Sequence, residues 1–333
     1  MKIAIDAMGG DIAPQTPVAG AVRAARELDL EVVLVGPQDV IEQQLARYPK
    51  RPSNISIVHA PEVIAMNEPA AASVRKKRDS SINIGAGLLK SRQVDAFVSA
   101  GNTGAVVAAA TLRAGLLPGV ERPGIGTVLP GVKGQTLLID VGANIDPRPL
   151  HLVQYALMGE AYVRCMLGQA KPSVGLLNVG EEEGKGTDFI KEIYSMLERC
   201  PINFVGNVEG RDIFSGEYDV IVCDGFVGNV ALKTAESLAH AISQVLKRAL
   251  AMNPITRLGA FLSRPAFKAL RQEIDYSEHG GALLLGVDGI CIISHGASTS
   301  KALKNAIRVG YEMARHDINR HLVEAISRQV VTP

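Results

Sequence analysis

The residues from Asp219 to Lys233 combine an apolar run, two glycines and several polar side chains that could hold an anion. The β-branched run from Val220 to Val222 predicts a buried strand, and a helix is predicted from Ala231 onward. Between them we expect a loop, in which glycines allow a tight turn and the close approach of a ligand. The unpaired N–H groups of the following helix favour an anion, above all phosphate. The expected contributors are Asp224, Gly225, Gly228, Asn229 and Lys233.

The segment from Asp95 to Val106 repeats the pattern of Asp219 to Val230 without gaps, as D-x-x-V-x-x-G-x-x-G-x-V. We call these two segments the echo segments. Two strand–loop–helix units with equal glycine spacing could present two helix N-termini to one ligand. The alternative is that both loops merely allow tight packing, because GxxG alone is a weak signal. The first echo segment adds Gly101, Asn102, Thr103 and Gly104 to the candidate binding residues.

A third polar loop, from Asn178 to Gly186, follows another predicted strand. Glycines flank Lys185, whose ammonium could neutralise a phosphate or a developing oxyanion. The alternative is a solvated turn in which Lys185 pairs with the acidic run Glu181 to Glu183. For Asp224, a role as general base and a role as helix cap are equally open.

Further candidate residues bracket other glycine loops. Asp6, Gly9, Gly10 and Asp11 surround the first loop, and Asn144 follows the strand that ends at Asp140. His295 and Ser298 precede the last long helix, for which Ser298 or Thr299 is a suitable N-cap. Clustered carboxylates can bind a divalent cation, but without a DxD-type spacing loop capping is favoured. We therefore expect no metal and no cofactor.

Short apolar runs alternate with glycine-containing loops and helical patterns along the whole chain. This alternation predicts a mainly parallel α/β sheet that is covered on both faces, with ligands bound beyond the carboxyl ends of the strands. We expect one α/β domain over residues 1–333, interrupted by an amphipathic helical hairpin at about residues 254–275. No dinucleotide fingerprint and no P-loop is present.

Composition narrows the class of protein. The 333 residues carry a formal charge of +1 and no tryptophan, which argues against a nucleic-acid partner. The four cysteines include no CxxC pair, so reduced cytosolic thiols are expected. Charged residues interrupt each long apolar run, and we expect a cytoplasmic protein that could still touch a membrane surface.

Two basic segments are candidates for contact with an acidic partner or a membrane. The first is Arg75, Lys76, Lys77 and Arg78, for which a solvated helix face is the more ordinary outcome. The second spans Pro254 to Arg271, where apolar residues recur at helical spacing among basic ones and Pro265 should divide two short helices. Basic amphipathic helices bind anionic membranes or partner grooves. The contact candidates here are Leu258, Phe261, Leu262, Arg264, Phe267, Lys268 and Arg271.

Taken together, the glycine-loop motifs resemble those of the PlsX phosphate acyltransferases. The resemblance covers nearly the whole chain, in order, and no glycine loop departs from it. The motifs are Ile3–Asp11, Ser99–Gly104, Asp140–Asn144, Asn178–Glu182 with Lys185 and Gly186, Gly206–Gly210, and Asp224–Asn229.

This resemblance implies a Rossmann-like three-layer α/β/α sandwich, similar to phosphotransacetylase and to the isocitrate and isopropylmalate dehydrogenases. It implies a homodimer that transfers a fatty acyl chain from acyl carrier protein to inorganic phosphate. The acyl phosphate would feed glycerolipid synthesis at the bacterial membrane, so peripheral contact with an anionic membrane surface is expected. No covalent enzyme intermediate is required.

On this hypothesis Lys185 is an electrostatic stabiliser, Asp224 orients phosphate or acts as a base, and Asn229 completes the catalytic group. Two alternatives remain at this point. A short-chain phosphotransacetylase would use coenzyme A as the acyl carrier. A non-catalytic scaffold would bind acyl carrier protein and membrane without turnover.

Overall fold

The structure is a computed structural model that describes residues 1–268 and 280–328. Within this part of the chain, eleven strands form one sheet in the order β3-β2-β1-β4-β11-β10-β5-β6-β9-β7-β8. The strands are β1 Lys2–Asp6, β2 Glu31–Gly36, β3 Ile55–His59, β4 Ala96–Ser99, β5 Gly124–Pro130, β6 Gln135–Ile139, β7 Ser173–Leu177, β8 Asn203–Val208, β9 Val220–Val222, β10 Ala282–Leu285 and β11 Ile290–Ile293.

Helices cover both faces of the sheet. They are α1 Gln15–Glu27, α2 Gln38–Leu45, α3 Ala70–Lys76, α4 Ser81–Lys90, α5 Thr103–Ala109, α6 Pro149–Met166, α7 Asp188–Glu198, α8 Gly225–Leu250, α9 Pro254–Leu262, α10 Ser300–Arg315 and α11 Ile318–Ser327. A π-helical turn, Ala110–Ala114, extends α5, and a 3₁₀ turn, Gly210–Phe214, follows β8.

Alternating residues of the buried strands divide the core into two layers. In β1, Ile3 and Ile5 belong to the core layer that includes residues of α1, α2, α6, α7, α10 and α11, whereas Ala4 belongs to the layer that includes residues of α3, α4 and α5. This alternation follows from the two-residue period of a strand. The expected three-layer α/β/α architecture is confirmed, and seven of the ten strand pairs in the described residues are parallel.

The sheet reverses direction in its middle. β5 runs antiparallel to both β6 and β10, and β10 runs antiparallel to β11. Strands β1 to β5 and β11 therefore point one way, and β6 to β10 point the other. The sequence patterns did not predict β5 or β10. In β5, a Cβ on Gly124 or Gly126 would lie about 3 Å from Tyr155 or Leu137, so close packing requires glycine at these positions. In the sequence, the two glycines indicated a loop instead of a strand.

Helix α8 begins earlier than the sequence predicts. It starts at Gly225, not near Ala231, so most of the segment expected to be a loop is the first turn and a half of the helix. The glycines weaken the helical pattern here, but they are required for packing, as described below. Pro265 has the predicted effect, since α9 ends at Leu262 and residues 264–268 are helical again.

Candidate active site

Three neighbouring strands bring the predicted catalytic residues to one edge of the sheet. β9 pairs in parallel with β6 on one side and with β7 on the other, so all three end at the same edge. Asn144 follows β6, Asp224 follows β9, and Lys185 lies in the loop after β7. Strands lie about 4.8 Å apart, so these segments are close neighbours. We call this edge the candidate active site.

Asp140 organises the loop after β6. Its side chain is buried and accepts four backbone hydrogen bonds. Oδ1 accepts from Ile125 at 3.0 Å, Gly142 at 3.1 Å and Ala143 at 2.9 Å, and Oδ2 accepts from Asn144 at 2.8 Å. Burial raises the pKa of Asp140, and the four donors oppose that shift by favouring the carboxylate. The expectation of loop capping is confirmed for this carboxylate.

The N-terminus of α8 is docked on this loop. The Gly225 N–H donates to the Asn144 carbonyl at 2.9 Å, and Nδ2 of Asn229 donates to the Val141 carbonyl at 3.0 Å. A Cβ on Gly228 would lie 2.0 Å from the Asp140 carbonyl oxygen, so only glycine fits there. Asn229 therefore fixes the helix through Nδ2, and the residue as a whole is exposed.

Asp224 is the N-cap of α8. Its Oδ1 accepts from Phe226 at 2.9 Å and from Val227 at 2.8 Å, and its carbonyl accepts from Gly228 at 3.0 Å. With Gly225 bound to Asn144, the first four N–H groups of the helix are all satisfied within the protein. The expectation of unpaired N–H groups for an anion at this helix is therefore wrong. Oδ2 of Asp224 is not used by the cap and can still accept a hydrogen bond from a ligand.

Substituting Asp224 by asparagine separates its two roles. Asparagine caps helices about as well as aspartate, so the thermal midpoint should stay near that of the wild type. If the carboxylate orients phosphate, kcat should nevertheless fall by about 10²-fold, the usual scale for an acid–base group. Asp224→Ala is the control, since it should lose both activity and stability. Equal activity of Asp224→Asn and the wild type would leave only the cap role.

The Lys185 loop is fixed through its backbone while the ammonium is exposed. Nδ2 of Asn178 donates to the Lys185 carbonyl at 3.1 Å, and Gly186 has a φ of +87°, which favours glycine. The Lys185 ammonium lies 3.9 Å from Glu182, and its side chain is 54% exposed. Arg211 pairs with Glu181 at 2.6 Å, so Lys185 is not the main partner of the acidic run. The loop thus presents a positive charge to a ligand.

Lys233 is less available than Lys185. It lies one turn beyond Asn229 on α8 and pairs with Glu236 at 2.7 Å. Cys223, next to Asp224, is fully buried, and burial together with the nearby Asp224 and Asp140 carboxylates raises its thiol pKa well above the ordinary range. A protonated, buried thiol is a poor nucleophile, and Cys223 is not a candidate for covalent catalysis.

A second group of candidate residues meets at the carboxyl ends of β1, β4 and β11. Asp6 accepts from Ser99 Oγ at 2.7 Å and from the Met8 N–H at 3.0 Å, and the same Ser99 Oγ accepts from the Gly101 N–H. The Asp11 N–H donates to the Gly296 carbonyl at 2.8 Å. Burial raises the pKa of Asp6, and these donors oppose the shift. The candidates gathered here are Asp6, Gly9, Gly10, Asp11, Gly101, Asn102, Thr103, Gly104, His295 and Ser298.

Several members of this second group have structural contacts. Asn102 caps α5 by accepting from the Ala105 N–H, and its Nδ2 donates to the carbonyls of Met66 and Glu68. Nδ1 of His295 accepts from the Ala297 N–H at 3.2 Å. Thr299, rather than Ser298, is the N-cap of α10. These contacts agree with the structural alternative for both Asn102 and His295.

The topology keeps the two echo segments apart. Four strands lie between β4 and β9, which places them about 24 Å apart across the sheet. The two strands also point in opposite directions, and no hydrogen bond within residues 1–268 and 280–328 joins the loops that follow them. The hypothesis of one cradle formed by both echo segments is therefore not supported within a single chain.

The first basic segment, Arg75 to Arg78, is only partly available to a partner. Arg75, Lys76 and Arg78 are exposed, but the Lys77 ammonium donates to the Val63 carbonyl at 2.6 Å and to Glu68 at 2.5 Å. Lys77 thus has a structural role. Because its ammonium is engaged in these hydrogen bonds, Lys77 is not part of the candidate contact surface.

On α9, the apolar side chains are largely exposed to solvent. Leu258, Phe261 and Leu262 are 57 to 69% exposed, and the Arg264 guanidinium lies 4.8 Å from the centre of the Phe261 ring. Phe267 is half-buried and Lys268 is exposed. Arg271 and the remainder of the expected hairpin lie outside the described residues.

Sequence reasoning assigned no function to two residues that shape this site. Asp140 was considered as a cation ligand and, in preference, as a loop cap, and the spacing D-x-G-x-N is typical of a carboxylate that collects the N–H groups of a following turn. Asn207 belongs to the Gly206–Gly210 motif, but nothing in its local pattern showed that it reaches the Lys185 loop. In the structure its Nδ2 donates to the Glu182 carbonyl at 3.0 Å.

The chain is similar to known proteins over nearly its whole length. Residues 1–321 match the family described as "Fatty acid synthesis protein". A phosphate acyltransferase of Geotalea uraniireducens is 47% identical over 326 residues, which cover 98% of this chain and 94% of that protein. One from Acidobacterium capsulatum is 50% identical over 323 residues, which cover 96% and 95%.

Solved structures share the fold at low sequence identity. EutD phosphotransacetylase from Staphylococcus aureus has a TM-score of 0.62 and 15% identity, over 94% of each chain. A phosphotransacetylase from Streptococcus pyogenes has a TM-score of 0.62 and 17% identity, over 95% of this chain and 94% of its own. Among the described residues, no helix is long and apolar enough to cross a membrane.

Proposed function

The chain belongs to the phosphate acyltransferase family, and we propose that it transfers a fatty acyl group from acyl carrier protein to inorganic phosphate. The product would be an acyl phosphate for glycerolipid synthesis. The observation that carries the proposal is the exposed Lys185 ammonium, whose fixed loop follows β7, the strand that pairs with β9 and therefore ends at the same edge of the sheet as Asp224. A cation and a hydrogen-bond acceptor in neighbouring segments suit a protonated phosphate that must attack a carbonyl.

The proposed reaction needs positioning and charge more than a protein nucleophile. A phosphate oxygen bonds to the thioester carbon, and the carbonyl becomes a tetrahedral oxyanion. The carbon–sulfur bond then breaks, and the proton that the phosphate carried passes to the departing sulfur, which leaves as the carrier thiol. Lys185 reduces the repulsion between the dianion and the developing oxyanion. Oδ2 of Asp224 accepts a hydrogen bond from a protonated phosphate oxygen and orients it, and Oδ1 of Asn229 can accept another.

The identity of the acyl carrier is the finer part of the proposal. The phosphotransacetylase-like fold also suits a short-chain enzyme that uses coenzyme A, and this is the second candidate function. Initial rates of phosphate-dependent thiol release should be compared for palmitoyl carrier protein, palmitoyl-CoA and acetyl-CoA. We expect kcat/KM for the carrier-protein thioester to exceed both others by at least tenfold. A preference for acetyl-CoA would favour the second function.

We expect carrier protein and membrane to bind to separate surfaces of the protein. Carrier proteins are acidic, and the exposed cations Arg75, Lys76 and Arg78 offer complementary charge. The bare apolar side chains of α9 lie among basic residues, which is the pattern of a helix that binds an anionic membrane from one side. Contact with a membrane would let the protein release an acyl phosphate where it is soluble.

A homodimer is part of the same proposal. Helix α8 has 26 residues, of which only Gly225 and Gly228 are buried in the single chain. Leu238, Ile242 and Val245 recur at spacings of four and three residues and are each more than half exposed. Such a stripe is typical of helices that pack against another helix, and a second copy of the chain would cover it.

Replacing Leu258 by glutamate tests the membrane contact. Leu258 is 60% exposed, so the change should leave the fold and the activity on soluble substrates unaltered. Because it places a charge on the apolar face of α9, flotation with vesicles containing phosphatidylglycerol should fall severalfold. The control is Val132→Glu, in the loop between β5 and β6, where the side chain is 91% exposed and flotation should be retained. Unchanged flotation of Leu258→Glu would contradict membrane contact through α9.

A further inference from the structure

Asn207 has an unusual amide near the end of β8. The residue is 5% exposed, and its Oδ1 is buried without a hydrogen-bond partner among the described residues. An unpaired buried carbonyl oxygen is unfavourable, and such groups call for an explanation. Within residues 1–268 and 280–328, the hydrogen bond to the Lys185 loop is the one that the Asn207 side chain makes.

The orientation of the amide is fixed by that hydrogen bond. Nδ2 faces the Glu182 carbonyl at 3.0 Å. Rotating the amide by 180° would place its oxygen against the Glu182 oxygen, which would set two acceptors against each other. The unpaired oxygen is therefore a consequence of using the amide nitrogen to hold the loop.

The group that Asn207 holds is directly connected to Lys185. The Glu182 carbonyl also accepts from the Lys185 N–H at 3.0 Å, so one oxygen joins the end of β8 to the backbone of Lys185. Asn178 holds the Lys185 carbonyl from the other side. By contrast, the Lys185 ammonium has only a 3.9 Å contact with Glu182. The location of the ammonium thus depends on how the backbone of Lys185 is held.

We propose that Asn207 is a positioning residue for Lys185: through the Glu182 carbonyl it holds the backbone from which the ammonium reaches the substrate anion. This inference rests on the proposed function, in which Lys185 acts on phosphate and the oxyanion. It assigns Asn207 no contact with substrate. A displacement of about 1 Å in a positioned group can cost about 10²-fold in rate, so the expected effect is large.

Asn207→Leu distinguishes positioning from a structural role. Leucine has nearly the shape of asparagine, and it removes both the loop hydrogen bond and the unpaired oxygen, while the Glu182 carbonyl keeps the Lys185 N–H as a donor. The thermal midpoint should therefore be equal to or above that of the wild type. At the same time, kcat should fall by about 10- to 100-fold, or KM for phosphate should rise by a similar factor. A wild-type rate would overturn the proposal.

A double-mutant cycle with Lys185→Ala gives the decisive test. If Asn207 acts through Lys185, Asn207→Leu should reduce the rate less than twofold in the Lys185→Ala background. If the two effects multiply, Asn207 acts independently and the proposal is wrong. If Lys185→Ala alone retains full activity, the proposed function of the site fails first, which is a separate result.

Asn207→Asp serves as a second variant in case the leucine variant does not fold. It keeps the shape of the side chain but places an oxygen against the Glu182 carbonyl, so it should release the loop and lower the rate as leucine does. Its circular dichroism spectrum should match that of the wild type. A folded Asn207→Asp protein with the wild-type rate would overturn the proposal as well.

Discussion

Replacing Lys185 by alanine is expected to lower kcat for acyl-phosphate formation by about 10²- to 10³-fold, the usual cost of removing one preorganised charge at a developing oxyanion. The reason is that Lys185 is a cation whose ion pair with Glu182 is long, at 3.9 Å, and that its fixed loop follows β7, the neighbour of the strand that leads to Asp224. Its side chain is 54% exposed, so the thermal midpoint should not change. Initial rates of carrier-thiol release, measured at saturating phosphate, report the effect.

Lys191→Ala is the matched control for this change. Lys191 also lies after β7, is 47% exposed and has only a 4.0 Å ion pair, with Asp188. Removing its charge should leave kcat within about twofold of the wild type, since surface ion pairs contribute little. An equal loss of activity in both variants would indicate a general effect of surface charge. Full activity of Lys185→Ala would contradict its assignment as electrostatic stabiliser.

Gly228→Ala is expected to cause the largest loss of stability, a decrease of about 3 kcal/mol in the free energy of unfolding. Helix propensity alone would favour alanine by about 1 kcal/mol. However, the new Cβ would lie 2.0 Å from the Asp140 carbonyl oxygen and 2.9 Å from Cys223 Sγ, and overpacking against a fixed backbone usually costs about 1–3 kcal/mol or more. The clash exceeds the gain in propensity. Urea unfolding monitored by circular dichroism measures the difference.

Gly259→Ala supplies the control for this substitution. Gly259 is also a helical glycine, in α9, and a Cβ there would meet no atom within 4 Å. Its substitution should leave stability unchanged or raise it by about 1 kcal/mol. Gly228→Ala should in addition lose most activity, because α8 could no longer dock Asp224 and Asn229 beside the Asp140 loop. Wild-type stability of Gly228→Ala would contradict the described packing of α8.

The strands and their carboxyl-end loops were predictable because parallel strands in a covered sheet are short apolar runs. β5 and β10 were not, since glycines interrupt β5 and the alanine–leucine run of β10 contains no β-branched residue. These two strands reverse the sheet. The separation of the echo segments follows from that reversal, so local spacing could not have predicted it.

The start of α8 shows a different limit. The sequence from Asp224 to Asn229 has an N-cap residue followed by two glycines, and glycine is a poor helix former. Tertiary packing decides the outcome here, because the glycines let the helix approach the backbone of the Asp140 loop. The location of Asp224 and Asn229 at the edge of the sheet was therefore predictable, whereas the start of the helix was not: in the structure Asp224 caps α8 and Asn229 anchors it.

The role of Lys185 could be suggested from flanking glycines, whereas Asn207 could not. Its contact joins residues 25 positions apart, on two different segments, and depends on how β8 lies beside β7. Such a contact leaves no periodic or compositional pattern in the sequence. The physical signal is the unpaired buried oxygen, which only the folded chain reveals.

The central claim is that phosphate itself attacks the acyl thioester at the edge formed by β6, β7 and β9. A rapid-quench single turnover with excess enzyme and palmitoyl carrier protein tests it most directly. With phosphate, free carrier thiol and acyl phosphate should appear together and in equal amounts, and without phosphate neither should form. Release of thiol without phosphate, in an amount equal to the palmitoyl carrier protein and with the palmitoyl group recovered on the enzyme, would reveal an acyl-enzyme intermediate and contradict the claim.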